Sequence, residues 1–143
     1  MNNDHLKNKR AEYFKETRLQ RHLEVAEDYT ELIADLIEAK GRARVCDIAR
    51  EMGISHVSVI KTIHKLIRDG YLKKDEQQTI LLTDQGRKMA AFSKKKHHIL
   101  FEFLKNIGVE EEIAAADVEG IEHHISLKTL EALETHMKAC QML

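Results

Sequence analysis

Glu119, Glu122 and His123 are spaced so that one helix could present all three side chains to a single metal ion. Residues at offsets of three and four lie on the same face of a helix. Two carboxylates and an imidazole suit a divalent cation that prefers oxygen donors. The same spacing also fits a solvated acidic helix face, which is a common arrangement of charged residues. The motif therefore predicts a metal site if other parts of the chain supply further donors.

The composition favours a folded and mostly helical chain. Its 143 residues are 43% hydrophobic and 33% charged, with six glycines and neither proline nor tryptophan. This length allows one sizeable domain or two small ones. No apolar run is long enough to span a membrane, and the N-terminus lacks the apolar core of a signal peptide. With only two isolated cysteines, Cys46 and Cys140, we expect a cytoplasmic protein with reduced thiols.

Charge is unevenly distributed along the chain, although the formal net charge is only −1. Residues 40–74 carry nine basic and three acidic side chains, a net charge of +6. Residues 101–143 carry three basic and nine acidic side chains, a net charge of −6. The basic segment suits a polyanion such as DNA, and the acidic segment suits cations.

Residues 43–82 have the pattern of a helix-turn-helix followed by a wing. A short helix over 45–52 precedes a turn at Gly53, and Ile54 is expected to fill the core. Ser55 can cap a second, reading helix that runs to Asp69 and closes at Gly70. Two strands, 71–74 and 79–82, flank a polar turn and predict a β-hairpin. The residues predicted to contact double-stranded DNA on the reading helix and wing are Ser55, His56, Val57, Ser58, Lys61, Thr62, Lys65, Lys73 and Lys74.

The remaining chain reads as helices around this module. A helix over 25–40 ends at Gly41 and carries Asp28 and Glu31 on one face. The charged residues before it either fray or extend that helix, as a solubilising tail or as an arm that contacts DNA or a partner. A connector helix over 84–106 follows Thr83, and a further helix over 110–124 holds the acidic motif. A final helix, capped by Ser126, has an apolar face suited to a homodimer; its apolar residues are Leu127, Leu130, Leu133 and Met137.

Several runs of this chain resemble the metal-dependent repressors of the diphtheria-toxin-repressor type, and most closely the manganese transport regulators. The runs are Ala26-Glu27-Asp28-Tyr29 with Glu31, Ala43-Arg44-Val45 with Asp47-Ile48-Ala49, Leu82-Thr83 with Gly86, Phe103-Leu104 with Ile107-Gly108-Val109, and Asp117 to His124. The resemblance implies a mainly α fold with an N-terminal winged helix-turn-helix domain and a C-terminal helical dimerisation domain. We expect a charged extension at 1–24, a DNA-binding domain at 25–92 and a metal-binding and dimerisation domain at 93–143.

The resemblance also implies a set of metal ligands: Asp28, Glu31, His97, Glu119, Glu122 and His123. His97 is chosen over its neighbour His98 from the family register, because adjacent helical residues cannot both face one site. Iron-sensing members are similar but have a methionine and a cysteine where this chain has Asp28 and Glu119. Oxygen and imidazole donors favour Mn²⁺, with Fe²⁺ as the alternative. Four carboxylates balance two divalent cations, so two ions per subunit are expected.

These observations predict a manganese-responsive repressor of metal-ion transport genes. Without metal, the carboxylates would repel one another and loosen the first helix and the connector helix against the dimerisation domain. With metal, the two reading helices would fit a palindromic operator. One alternative is an iron- or zinc-responsive regulator of the same type. Another is a winged-helix regulator whose acidic cluster is only surface. A carboxylate-bridged di-metal enzyme is not expected, because no histidine follows a glutamate by three residues as the helical di-iron pattern requires.

Overall fold

The computed structural model describes residues 2–140, with side chains from residue 9 onward. Met1 of the predicted extension and residues 141–143 of the predicted C-terminal domain lie outside that range. The described helices and strands, in chain order, are α1 (Asn2–Lys40), α2 (Val45–Met52), α3 (His56–Arg68), β1 (Leu72–Lys74), β2 (Ile80–Leu82), α4 (Asp84–Asn106), α5 (Glu111–Ile121) and α6 (Leu127–Ala139). They form two compact units, one of residues 26–94 and one from the chain on either side of it. The predicted mainly α class is therefore confirmed.

Helix α1 is much longer than the predicted helix over 25–40. It begins at Asn2, so the charged N-terminal segment extends the helix instead of fraying. Residues 2–40 contain neither glycine nor proline, and nothing in their backbone chemistry stops a helix before Gly41. Gly41 then adopts a φ of 77°, a left-handed conformation that ends helices.

The unit of residues 26–94 is built around the helix-turn-helix. Helix α2 has the predicted bounds, and Gly53 ends it in a left-handed conformation with a φ of 67°. The Ser55 side chain accepts a hydrogen bond from the Ser58 backbone N–H, which caps α3 as predicted. Val59 and Ile63 of α3 are almost fully buried in the core. The prediction for Ile54 is wrong: it is 41% exposed and lies outside the core, which residues of the helices and of the wing strands fill.

The wing is a two-stranded antiparallel hairpin in which Leu72 pairs with Leu82. Thr83, directly after β2, accepts a hydrogen bond from the Gly86 backbone N–H, so it caps α4 as predicted. The Thr83 hydroxyl lies 2.6 Å from the Gly70 carbonyl oxygen, to which it donates. A Cβ at Gly86 would lie 2.1 Å from the Tyr71 carbonyl oxygen. The first turn of α4 therefore packs so tightly against the start of the wing that only glycine fits.

The second unit has its own smaller core, formed by the end of α4 with α5 and α6. Its buried residues are Ile99, Leu100, Val118, Leu130 and Met137. Ser126 caps α6 as predicted, accepting a hydrogen bond from the Thr129 backbone N–H. Leu127, the first residue of the predicted apolar face, is 55% exposed in the first turn of α6, whereas Leu130 and Met137 are buried. None of the described helices is long and apolar enough to cross a bilayer.

Candidate metal centre and DNA interface

A buried carboxylate lies between two imidazoles in the second unit. The Glu122 Oε2 atom is 2.9 Å from Nδ1 of His97, and its Oε1 atom is 3.5 Å from Nε2 of His123. His97 projects from α4, whereas Glu122 and His123 directly follow the end of α5. The side chains of Glu122 and His123 are only 5% and 3% exposed. Three predicted ligands are thus brought together from two helical segments.

The electrostatics of Glu122 indicate a site that favours added positive charge. Burial raises the pKa of the Glu122 carboxyl above its ordinary value, although the hydrogen bond from His97 lowers it. The nearby Glu119 carboxylate raises the pKa further. A buried carboxylate with two imidazole neighbours is a donor set that suits a divalent cation. These residues therefore fit a metal such as manganese or iron.

The structure corrects the prediction that Glu119, Glu122 and His123 share one helix face. Helix α5 ends at Ile121, and Glu122 is its C-cap residue, so the predicted helix over 110–124 is too long. The helix must end before Ser126, whose extended backbone caps α6. Glu122 and His123 are buried, whereas Glu119 is exposed on α5.

The other predicted ligand positions divide between the units. Asp28 and Glu31 lie on α1 within the unit of residues 26–94, three residues apart as predicted. In the second unit, His97 contacts Glu122, whereas the adjacent His98 is exposed. The ring of His97 also stacks on Phe101 with centroids 6.1 Å apart, which helps to fix its orientation on α4.

The turn that holds Glu122 and His123 also contacts the N-terminal segment of α1. Nε2 of His124 lies 4.0 Å from Oε1 of Glu24. A groove next to this pair is lined by four residues of α1 and three of the turn, namely Tyr13, Glu16, Thr17, Gln20, His124, Ile125 and Ser126. The sequence did not lead us to predict this contact. The lack of glycine and proline before residue 25, which favours a continuous helix, was the signal that could have indicated it.

The predicted DNA-contacting residues lie mainly on an exposed surface of the first unit. All are exposed except Thr62, which is half-buried; the exposed ones are Ser55, His56, Val57, Ser58, Lys61, Lys65, Lys73 and Lys74. Val57 stands out from α3 with 74% exposure. The Ser55 hydroxyl is engaged in capping α3, so its first role is structural.

Two arginines that the sequence reasoning did not select join this surface. Arg42 and Arg44 line a groove with Lys74 and the hairpin residues Gln77 and Gln78. Both arginines are exposed, and they precede the first turn of α2. Their position next to the start of a helix-turn-helix was the signal that could have identified them. Three cations along one groove could contact backbone phosphates.

Fold and site together define a winged helix-turn-helix DNA-binding protein with a candidate metal centre. Comparison with known families extends this result. The iron-dependent repressor N-terminal DNA-binding domain matches residues 22–79, and the iron-dependent repressor metal-binding and dimerisation domain matches residues 83–142.

Curated relatives and solved structures agree with these matches. The transcriptional regulator MntR of Salmonella typhimurium (strain LT2) is 39% identical over 122 residues, covering 85% of this chain and 78% of the relative. The HTH-type transcriptional regulator MntR of Bacillus subtilis (strain 168) is 43% identical over 107 residues, 75% of each chain. The solved manganese regulator SloR has a TM-score of 0.71 at 28% identity, covering 79% of this chain. This chain spans about half the length of SloR, 53% of it.

The chain therefore belongs to the iron-dependent repressor family, the diphtheria-toxin-repressor type that its sequence resembles. The predicted resemblance, and with it the division into an N-terminal winged helix-turn-helix and a C-terminal dimerisation domain, is confirmed.

Proposed function

We propose that this protein is a manganese-responsive transcriptional repressor of metal-ion transport genes, and not an enzyme. The observation that carries the proposal is Glu122, buried between His97 and His123 in a chain whose other unit is a winged helix-turn-helix. Relatives named MntR and the solved manganese regulator SloR support manganese as the effector. The protein would act in the cytoplasm as a homodimer on a palindromic operator.

The proposed ligands are Asp28, Glu31, His97, Glu119, Glu122 and His123. Asp28 and Glu31 would join the second unit's donors from α1, where they belong to the winged unit. Glu24, four residues before Asp28 on the same helix, is the residue paired with His124. That contact supports the proposal, because residues four apart lie on the same helix face.

Bound manganese would supply positive charge to the carboxylates, and the charge of the proposed ligand set would match two ions per subunit. Asp28, Glu31, Glu119 and Glu122 together carry four negative charges, which two divalent cations balance. A single ion would leave a net negative charge near the buried Glu122, which is costly. The set has no sulfur donor, and oxygen with imidazole suits manganese better than softer ions.

The proposed roles of the chain's segments follow the predicted domains. Residues 25–92 would bind DNA through the reading helix and wing, with Arg42 and Arg44 as additional phosphate contacts. Residues 93–143 would bind metal and dimerise, and residues 2–24 extend α1. Without metal, the carboxylates would repel one another. With their charge neutralised by bound metal, they would hold α1, α4 and the residues after α5 together. That arrangement would set the separation of the two reading helices for successive major grooves.

The test begins with duplexes selected from a random pool by the protein in manganese, followed by fluorescence anisotropy of a selected duplex. We expect roughly 5- to 150-fold tighter binding with Mn²⁺ than with a chelator, the usual range of allosteric coupling. Equal affinity in both conditions would eliminate the metal-responsive function. The family's name favours iron as a second candidate effector, so Fe²⁺ under anaerobic conditions is the parallel measurement. Tighter operator binding with Fe²⁺ than with Mn²⁺ would reassign the effector.

A further inference from the structure

A thiol and an imidazole lie close together at the end of α6. Neither residue is among the predicted metal ligands, and a sulfur donor distinguishes this pair from the candidate metal centre. The Cys140 Sγ atom lies 3.7 Å from Nε2 of His136. The two residues are four apart, so they occupy the same face of the last helical turn. Both are exposed, which leaves the pair accessible to a ligand from solvent.

The separation of the two donor atoms matches the geometry of a tetrahedral metal site. Zinc binds cysteine sulfur at about 2.3 Å and histidine nitrogen at about 2.0–2.1 Å. At the tetrahedral angle, those bond lengths put sulfur and nitrogen about 3.6 Å apart. The two donor atoms are therefore already at about the separation that one shared ion requires.

The surroundings of the pair also favour a cation. The last carbonyl groups of a helix lack intrahelical partners, and the helix dipole places partial negative charge at this end. Lys138, in the same turn, lies 3.0 Å from Glu134, so its positive charge is directed to that carboxylate. Neutralised in this way, Lys138 opposes a cation at the thiol less than a free lysine would.

We propose that His136 and Cys140 form a second metal site, for a borderline or soft divalent cation such as Zn²⁺. Two protein ligands leave the other coordination positions to water, so the ion exchanges readily. The cysteine binds as the thiolate, and its proton is released to solvent. Thiolate with imidazole selects against Mn²⁺, which prefers oxygen donors. The chain would thus hold a soft-metal site in addition to its hard-metal centre, and the soft-metal site does not depend on the proposed function.

Cobalt is the probe that distinguishes the two sites, because only a thiolate gives a sulfur-to-cobalt charge-transfer band. The reduced full-length protein is titrated with Co²⁺ in the presence of saturating Mn²⁺. We expect the band to develop in the unaltered protein and in Cys46→Ser, and to be lost in Cys140→Ser. His136→Ala should weaken Co²⁺ binding measured by the same band. Circular dichroism melts check that each variant, altered only at the surface, folds.

A second measurement follows the reactivity of each thiol by mass spectrometry. Zn²⁺ should slow alkylation of Cys140 while leaving that of Cys46, which is also exposed, unchanged. The proposal is overturned if the unaltered protein shows no charge-transfer band, or if the band survives in Cys140→Ser. It is also overturned if His136→Ala binds Co²⁺ as tightly as the unaltered protein, because the imidazole would then not be a ligand.

Discussion

Replacing Glu122 with glutamine should affect the metal-free and metal-bound protein in opposite ways. The Glu122 side chain is 5% exposed, and its burial raises the pKa of the carboxyl. A neutral amide of the same shape removes a buried charge and keeps an oxygen that can accept a hydrogen bond from His97. We therefore expect the metal-free variant to be at least as stable as the unaltered protein. Manganese binding should weaken, because the amide supplies no charge to the cation.

The magnitude follows from the linkage between binding and stability. At about 100 times its dissociation constant, the manganese ion that Glu122 binds adds about 2.7 kcal/mol to the free energy of unfolding. We take the substitution to weaken manganese binding about 100-fold, the upper end of the range for residues that support metal ligands. At the same manganese concentration, the stabilisation by manganese would then be about 0.4 kcal/mol. For a chain of this size, each kcal/mol of added stability is expected to raise the melting temperature by roughly 2–4 °C. That ion should therefore raise the melting temperature by about 5–11 °C in the unaltered protein and by about 1–2 °C in Glu122→Gln.

Differential scanning fluorimetry at a fixed protein concentration, with manganese or chelator, provides the measurement. Glu131→Gln is the matched control, since Glu131 is an exposed glutamate of α6 in the same unit. The control should keep the full manganese shift. A full shift in Glu122→Gln would refute the ligand role of Glu122. A large loss of metal-free stability would instead refute the reasoning about its buried charge.

Three further variants test other parts of the structure. Gly86→Ala should lower the free energy of unfolding by about 3 kcal/mol or more, measured by urea denaturation, because its Cβ would collide with the Tyr71 carbonyl. The double change of Lys73 and Lys74 to alanine should weaken binding to selected and scrambled duplexes alike. It should reduce the slope of log affinity against log salt by about 2 if each lysine meets one phosphate. Glu119→Gln should lower the manganese stoichiometry measured by equilibrium dialysis from two ions to one. Glu119 is exposed, and the buried donors would still bind the remaining ion.

The DNA-binding unit was predictable because its signals are local. Gly53 and Ser55 determine where α2 ends and α3 begins through backbone conformation and capping, which act within a few residues. The wing and the cap at Thr83 follow for the same reason. The outward direction of Ile54 could not be predicted in this way. Whether an apolar residue in a turn is buried depends on which neighbouring helices already fill the core.

The candidate metal site was predictable in its residue types but not in its geometry. Glu122 and His123 have helical spacing from Glu119, yet α5 ends before them. The extended backbone of Ser126, which caps α6, requires that the helix end before that residue but does not determine where it ends. The choice of His97 over His98 came from family register, since periodicity alone left both open. The bounds of the domains and the complete ligand set remain predictions.

The geometry within the second unit also limits where metal control can arise. A ligand shifts an equilibrium only by binding one state better than the other. His97, Glu122 and His123 are already in contact within a single unit, so these three donors alone would bind metal equally in any arrangement of the DNA-binding unit. With the proposed ligand set, the preference for the DNA-competent state would come from Asp28 and Glu31, which belong to the winged unit. Replacing either should therefore reduce the manganese dependence of DNA binding by more than it reduces manganese affinity.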